Sequence, residues 1–204
     1  MEGKMHWGMA IDLKLCMGCN TCVVVCKMRN GTPPGIFWNK VLEEEVGAFP
    51  SARRVFWPIR CMQCEEPACV EACPTGATYQ REDNLVLIDA DKCVGCRACI
   101  LACPYDVRSL WDGKGSYFKD GLTPFEKKAY ANHLPGAVQK CDFCASRLDE
   151  GLQPSCAEGC LTGAIVFGDL DDPNSDVSQA LKEPRIHLRL REELGTRPST
   201  YYLP

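Results

Sequence analysis

The sequence has no apolar run of the length a bilayer-spanning helix needs; its longest such stretches, residues 22–26 and 85–88, are a few residues each. It has no basic surplus either. Lys and Arg number 23 against 27 Asp and Glu, giving a net charge of −4 over 204 residues, whereas a binder of phosphate backbones carries a basic patch. Nucleic acid is therefore excluded as the main partner. Residues 1–7 hold neither the apolar core of a secretory signal nor a twin-arginine pair, so a protein working outside the cytoplasm would have to be carried there by something else. Histidine is scarce: His6, His133 and His187 stand far apart, and each reads as a surface or packing residue. Gly113, Gly115 and their neighbours form no phosphate loop, Glu43, Glu44 and Glu45 read as a solvated face, and Trp38, Trp57, Trp111, Tyr105 and Tyr117 read as packing. No catalytic site is expected in this chain.

What the sequence has in excess is cysteine, 16 residues of 204. A disulfide scaffold of that density is usually a much shorter secreted chain, so metal binding is the better reading. The cysteines form four groups of four, each ending in C-x3-C. Group one is Cys16, Cys19, Cys22 and Cys26; group two is Cys61, Cys64, Cys69 and Cys73; group three is Cys93, Cys96, Cys99 and Cys103; group four is Cys141, Cys144, Cys156 and Cys160. Groups one and three have the tight spacing C-x2-C-x2-C-x3-C, and Pro104 completes the bacterial ferredoxin signature in group three. Pro74 follows group two likewise, while Lys27 and Leu161 stand at that place in groups one and four.

A cubane is a compact cage with an iron at each of four corners. Three thiolates from one short loop cap three corners, and the last cysteine, about a helical turn further on, points elsewhere. In two-cluster ferredoxins it ligates the other cluster. Structural zinc more often uses two separated C-x2-4-C knuckles, and eight disulfides would need neighbouring cysteines to find distant partners, so both readings weigh less than cubanes.

Groups two and three sit together and groups one and four bracket them. The expected fold is α+β: two bacterial-ferredoxin-like units of two [4Fe-4S] clusters each, one inserted in the other. The outer unit is residues 1–50 with 139–175 and the inner one 51–110, with an insertion loop at 111–138 and a C-terminal docking tail at 176–204. Ligand exchange within each unit gives cluster a to Cys16, Cys19, Cys22 and Cys160, and cluster b to Cys26, Cys141, Cys144 and Cys156. It gives cluster c to Cys61, Cys64, Cys69 and Cys103, and cluster d to Cys73, Cys93, Cys96 and Cys99.

Local patterns fill in the frame. Residues 7–13 read as a strand, 21–29 as a helix, 36–46 with 53–59 as a hairpin, and 77–80 with 85–89 as strands around a turn. A short strand is expected near 107–110, a helix at 145–155 ended by Gly151, a strand at 165–167 and a helix at 175–181. The stretch 111–138 shows no clean period, and 185–204 reads as extended over a partner or the body. Four oxidised cubanes, each about −2 with its thiolates, would bring the charge to about −12. Lys14, Lys27, Arg60, Lys92, Arg97 and Lys140 lie near the motifs and could offset it, although a solvated role is the default for any one of them. Val23, Val24, Val25, Phe56, Trp57 and Ile100 are expected to keep water from the cages.

The segments GMAIDLKLCMGCNTCVVVC, RCMQCEEPACVEACPTGA, DKCVGCRACILACPY, KCDFCASRLDEGLQPSCAEGC and GDLDDP, in this order, resemble the four-cluster iron–sulfur subunit of the complex iron–sulfur molybdoenzymes, which include dimethyl sulfoxide reductase. GDLDDP and the late ELGTRP…YYL are most like the polysulfide, thiosulfate and respiratory arsenate reductase branches, while 111–138 is longer than some of these relatives carry. Some members replace one cysteine of group three and hold a three-iron cluster; here all four are present, which implies four cubanes. The resemblance further implies electron transfer in anaerobic respiration, a catalytic partner bearing a molybdenum or tungsten pterin, and a membrane anchor subunit exchanging electrons with quinone. It implies work at the periplasmic, extracytoplasmic face after co-export with the catalytic subunit, with the cytoplasm as the alternative. A stand-alone soluble polyferredoxin is the rival reading of the function.

Overall fold

A computed structural model describes residues 5–182 and 184–204. Most of the stretch bearing on a leader, residues 1–4 of 1–7, lies outside the described residues. The fold is a small mixed α/β one, with short strands and helices strung between loops.

Strand β1 (Trp7–Asp12) carries Met9, Ala10 and Ile11 fully buried and leads into the first cysteine loop. Helix α1 (Thr21–Asn30) follows and stops at Gly31, whose φ of 57° ends the helix in a left-handed turn. Strands β2 (Asn39–Val46) and β3 (Arg53–Arg60) form an antiparallel hairpin running from Asn39↔Arg60 to Val46↔Arg53. After α2 (Ala68–Glu71), the small hairpin of β4 (Thr78–Gln80) and β5 (Val86–Ile88) separates the second and third cysteine groups. Helix α3 (Ala98–Leu101) and strand β6 (Ser109–Leu110) come next.

The following stretch, expected as an insertion loop at 111–138, carries elements of its own. It contains helix α4 (Pro124–Tyr130) and is closed at its base by β7 (Val138–Gln139) pairing with β6. The local signal is a capping box: Thr123 Oγ1 accepts from the Glu126 amide at 3.2 Å, and the Glu126 carboxylate accepts from the Thr123 amide at 2.7 Å. Pro124 at the first helical position adds to it. Glu126 also accepts from the Tyr117 amide and the Tyr130 hydroxyl. The Thr123 and Tyr117 amides hold its carboxyl at about 2. Trp111 and Tyr130 pack with Ile36 into a small core of their own, and His133 sits edge-on to both Trp38 and Trp111. Thr123→Ala should therefore cost about 1 kcal/mol of α4 stability. Hydrogen exchange of the α4 amides should quicken roughly fivefold, as read by mass spectrometry; an unchanged rate would deny the cap its role.

Beyond β7 come α5 (Ala145–Asp149), α6 (Ser155–Glu158), β8 (Ile165–Asp169), α7 (Asp176–Lys182) and β9 (Thr200–Leu203). Helix α5 ends short of Gly151, which takes a left-handed φ of 74° just beyond it. Strand β1 is the centre of the sheet β8-β1-β9, antiparallel to β8 (Met9↔Phe167) and parallel to β9 (Ile11↔Tyr202). Within the stretch expected as a docking tail, α7 and β9 pack on the body, with Val177 and Tyr202 wholly buried. The expected boundary at 50/51 falls inside the β2–β3 turn. One main core joins Met9, Ile11 and Phe167 to Met62, Leu85 and Val107, so the two expected units share a single interior.

Candidate metal centres

The cysteine loops repeat one local design. The third cysteine of every group is the second residue of a short helix: Cys22 in α1, Cys69 in α2, Cys99 in α3 and Cys156 in α6. In groups one and three the loop turns through left-handed residues, Gly18 and Asn20 at φ 69° and 59°, Gly95 and Arg97 both at 66°. A Cβ at Gly18 would lie 2.4 Å from the Phe56 ring, and at Gly95 the same distance from the Gly136 carbonyl, so both turns require glycine. Pro67 and Pro154 precede the helices of the wider-spaced groups. The fourth cysteine lies one turn further along, and that rotation carries it to a different neighbour.

Three cavities are each lined by four thiols. Cys16, Cys19, Cys22 and Cys160 line one; Cys61, Cys64, Cys69 and Cys103 another; Cys73, Cys93, Cys96 and Cys99 a third. Cys26, Cys141, Cys144 and Cys156 meet in the interior and act on one another electrostatically. All four of these last thiols are buried, whereas Cys19 and Cys96 of the first and third cavities are exposed. None of the sixteen cysteines is in a disulfide. Backbone amides reach some thiols: Thr78 donates to Cys73 Sγ at 3.3 Å, Val138 to Cys93 and Phe143 to Cys141, each at 3.4 Å.

Burial pushes seven of these thiols up. It carries Cys141 far above its ordinary value, and Cys26 to about 12, with neighbouring thiols adding to both. Burial likewise takes Cys64 to about 12. Cys73 differs: burial raises it, but hydrogen bonds from Thr78, Thr75 and Ala77 outweigh that and bring it to about 7. Thiolates in such an interior need a cation beside them.

Among the described residues the chain supplies three. Arg60 is completely buried, its Nη1 donating to Cys156 Sγ at 3.2 Å and to Met9 Sδ at 2.8 Å. Arg108, 4% exposed, donates from Nη2 to Cys69 Sγ at 2.8 Å and from Nη1 to Thr78 Oγ1 at 3.2 Å. Lys140 Nζ donates to the carbonyls of Cys141, at 2.8 Å, and Val86. Among the basic residues expected near the motifs, then, Arg60 and Lys140 are interior. Lys27 is tied to the carbonyls of Thr32, Pro33 and Ile36, and Lys92 pairs with Asp89 at the surface. Arg108 was missed by sequence reasoning; its one signal is a lone base amid the apolar residues that follow group three. Val23, Val25 and Trp57 pack against the core as expected, but Val24 is 57% exposed.

Do these sites fit a cubane? Arg60 Nε and Nη2 are buried with no hydrogen-bond partner. An unpaired guanidinium in a dry interior is costly, and sulfide-bearing anionic cages would supply the acceptors it lacks. Among the described residues no three Cys, His, Asp or Glu side chains converge closely enough for a single metal ion. Four thiols spread around a cavity suit a multi-iron cage better than tetrahedral zinc. The residues fit. The histidines stand apart from these sites: His6 bonds Ser199, His133 packs on two tryptophans and His187 on Tyr201. No helix among the described residues is long and apolar enough to cross a membrane.

Comparison with known proteins agrees with this chemistry. The 4Fe-4S dicluster domain matches residues 52–122 and 119–170. A selenate reductase subunit of Mesobacillus selenatarsenatis is 43% identical, over 98% of this chain and 72% of its own length. The arsenate respiratory reductase iron–sulfur subunit ArrB of a Shewanella species is 36% identical, over 98% and 96%. A tetrathionate reductase subunit of Salmonella typhimurium is 38% identical, over 98% and 73%. With sixteen thiols gathered by fours, and relatives that are subunits of respiratory reductases, the chain belongs to the 4Fe-4S dicluster-domain family and, within it, to the iron–sulfur electron-transfer subunits of the complex iron–sulfur molybdoenzymes.

Proposed function

We propose that this chain holds four [4Fe-4S] clusters and conducts electrons between a molybdenum- or tungsten-pterin catalytic subunit and a quinone-linked membrane subunit or other redox partner. The observation that carries the reading is the gathering of all sixteen cysteines, none in a disulfide, into four sets of four. Cluster a takes Cys16, Cys19, Cys22 and Cys160; b takes Cys26, Cys141, Cys144 and Cys156; c takes Cys61, Cys64, Cys69 and Cys103; d takes Cys73, Cys93, Cys96 and Cys99. Bound there, the clusters supply one-electron carriers, and the protein sets their potentials by burial, hydrogen bonds to sulfur and nearby charge.

The order a, b, c, d is supported by exposure. The b thiols are buried, while Cys19 of a and Cys96 of d reach the surface. Exposed apolar side chains stand beside both, Leu15, Met17 and Leu161 near a and Val94 and Leu101 near d, as two partner-facing ends require. Groups one and four then form a ferredoxin-like unit split between the chain ends, supported by the β1–β8 pairing, with groups two and three inserted around the β4–β5 hairpin. The catalytic partner rests on the resemblance and on the relatives' names as subunits; work at the extracytoplasmic face, reached by co-export, rests on the resemblance alone, with the cytoplasm as the alternative. The test is anaerobic purification from the native host. The expected material is brown, holds about sixteen iron and sixteen sulfide per chain, and brings a large subunit in stoichiometric amount. A colourless, zinc-bearing preparation would defeat the cluster reading, and a lone active carrier the subunit reading.

A further inference from the structure

The three buried cations are not scattered through the interior. Each stands where two cysteine sets meet. Arg60 donates to Cys156 of set b, and its field also reaches Cys22 and Cys16 of set a. Lys140 is bound to the carbonyl of Cys141, in set b, and to that of Val86, which lines the cavity of set c. Arg108 lines the cavity of set c and donates to its Cys69; its other bond goes to Thr78, which lines the cavity of set d and whose amide donates to Cys73.

Resting on the ligand assignment above, we propose that Arg60, Lys140 and Arg108 are positioning residues for electron transfer, one fixed cation at each of the junctions a/b, b/c and c/d. Neighbouring cages that each carry negative charge repel, so an electron on one opposes an electron arriving at the next. A cation shared between them offsets that repulsion on both sides at once and keeps both within reach of a common potential. Arginine suits the junctions at either end of the wire because its charge does not titrate away in an apolar interior. Arg60 is the strongest case, since it alone is wholly buried with two guanidinium nitrogens left without partners. Arg60 Nη1 gives both of its hydrogen bonds to sulfur, at Cys156 of set b and at Met9.

The test is a redox titration of the cluster-loaded protein followed by electron paramagnetic resonance, on wild type, Arg60→Met and Arg60→Lys, with iron and sulfide counted in each. The methionine variant should lower the midpoint potentials of two clusters at least tenfold in reduction equilibrium, about 59 mV for a one-electron couple. The other two should stay within about threefold, and lysine should restore most of the shift. Full cluster content with no shift, or an equal shift of all four, overturns the proposal. If Arg60→Met does not assemble, Arg60→Gln takes its place and is judged by the same split. Should neither assemble while Arg60→Lys does, loss confined to two clusters supports a junction role and loss of all four overturns it. Wild-type protein without about sixteen iron would instead sink the ligand assignment, a separate failure.

Discussion

Alanine at Cys160 should abolish the same cluster as alanine at Cys16, although the two residues lie near opposite ends of the chain. Each single variant should lose one resonance signal and fall from about sixteen iron toward about twelve, and the double variant should lose nothing more. Two ligands of one cage act as a unit, so their losses do not add. The contrasting pair is Cys16 with Cys26, neighbours in one motif. Cys22 and Cys26 are both on α1, one turn or about 6 Å of rise apart, and that turn carries the later thiol to Cys141, Cys144 and Cys156. Cys16→Ala with Cys26→Ala should therefore remove two clusters and leave about eight iron. If this double variant loses only one cluster, each motif closes its own cage, and the exchange between groups is wrong.

The readable part of this chain is readable because its cofactor chemistry is local. Three ligands must come from one short loop, so C-x2-C-x2-C-x3-C announces itself at Cys16 and at Cys93 without any knowledge of the rest. The β2–β3 hairpin was legible for a similar reason, since its strands are close in sequence and rich in β-formers. What could not be read depends on distant contacts. Nothing near Thr200 says that it will lie parallel to Met9, because a parallel strand has no turn to betray its partner. Arg60 and Lys140 could be named among the bases placed to offset cluster charge, but nothing local told them from Lys92, which pairs with Asp89 at the surface; their burial depends on distant contacts. Helix α4 is a different kind of miss. Its cap, Thr123 with Glu126, is written in the sequence, but seven residues give too little periodicity to draw the eye to it.

The second large effect is expected at the C-terminus. Tyr202 is completely buried, its hydroxyl donates to the Pro58 carbonyl at 2.8 Å, and its ring lies 5.5 Å from that of Trp57. It ties β9 to the β2–β3 hairpin as well as to β1. Tyr202→Ala should cost about 3–5 kcal/mol by leaving a cavity the size of an aromatic ring. Tyr202→Phe, which keeps the packing and loses one hydrogen bond, should cost about 1 kcal/mol. Cluster loss makes unfolding irreversible, so the measurement is the temperature at which visible absorption bleaches at a fixed heating rate. For a chain of this size the alanine variant should bleach roughly 10 °C early. Removing residues 200–204 should do at least as much, since Thr200 and Leu203 are buried with Tyr202. A segment that served only to dock a partner would give the opposite pattern, with unchanged bleaching of the isolated chain and weaker assembly. Both outcomes are read from one truncated protein, and the burial of Thr200, Tyr202 and Leu203 decides which to expect: strand β9 holds together the sheet that positions Cys16 and Cys160.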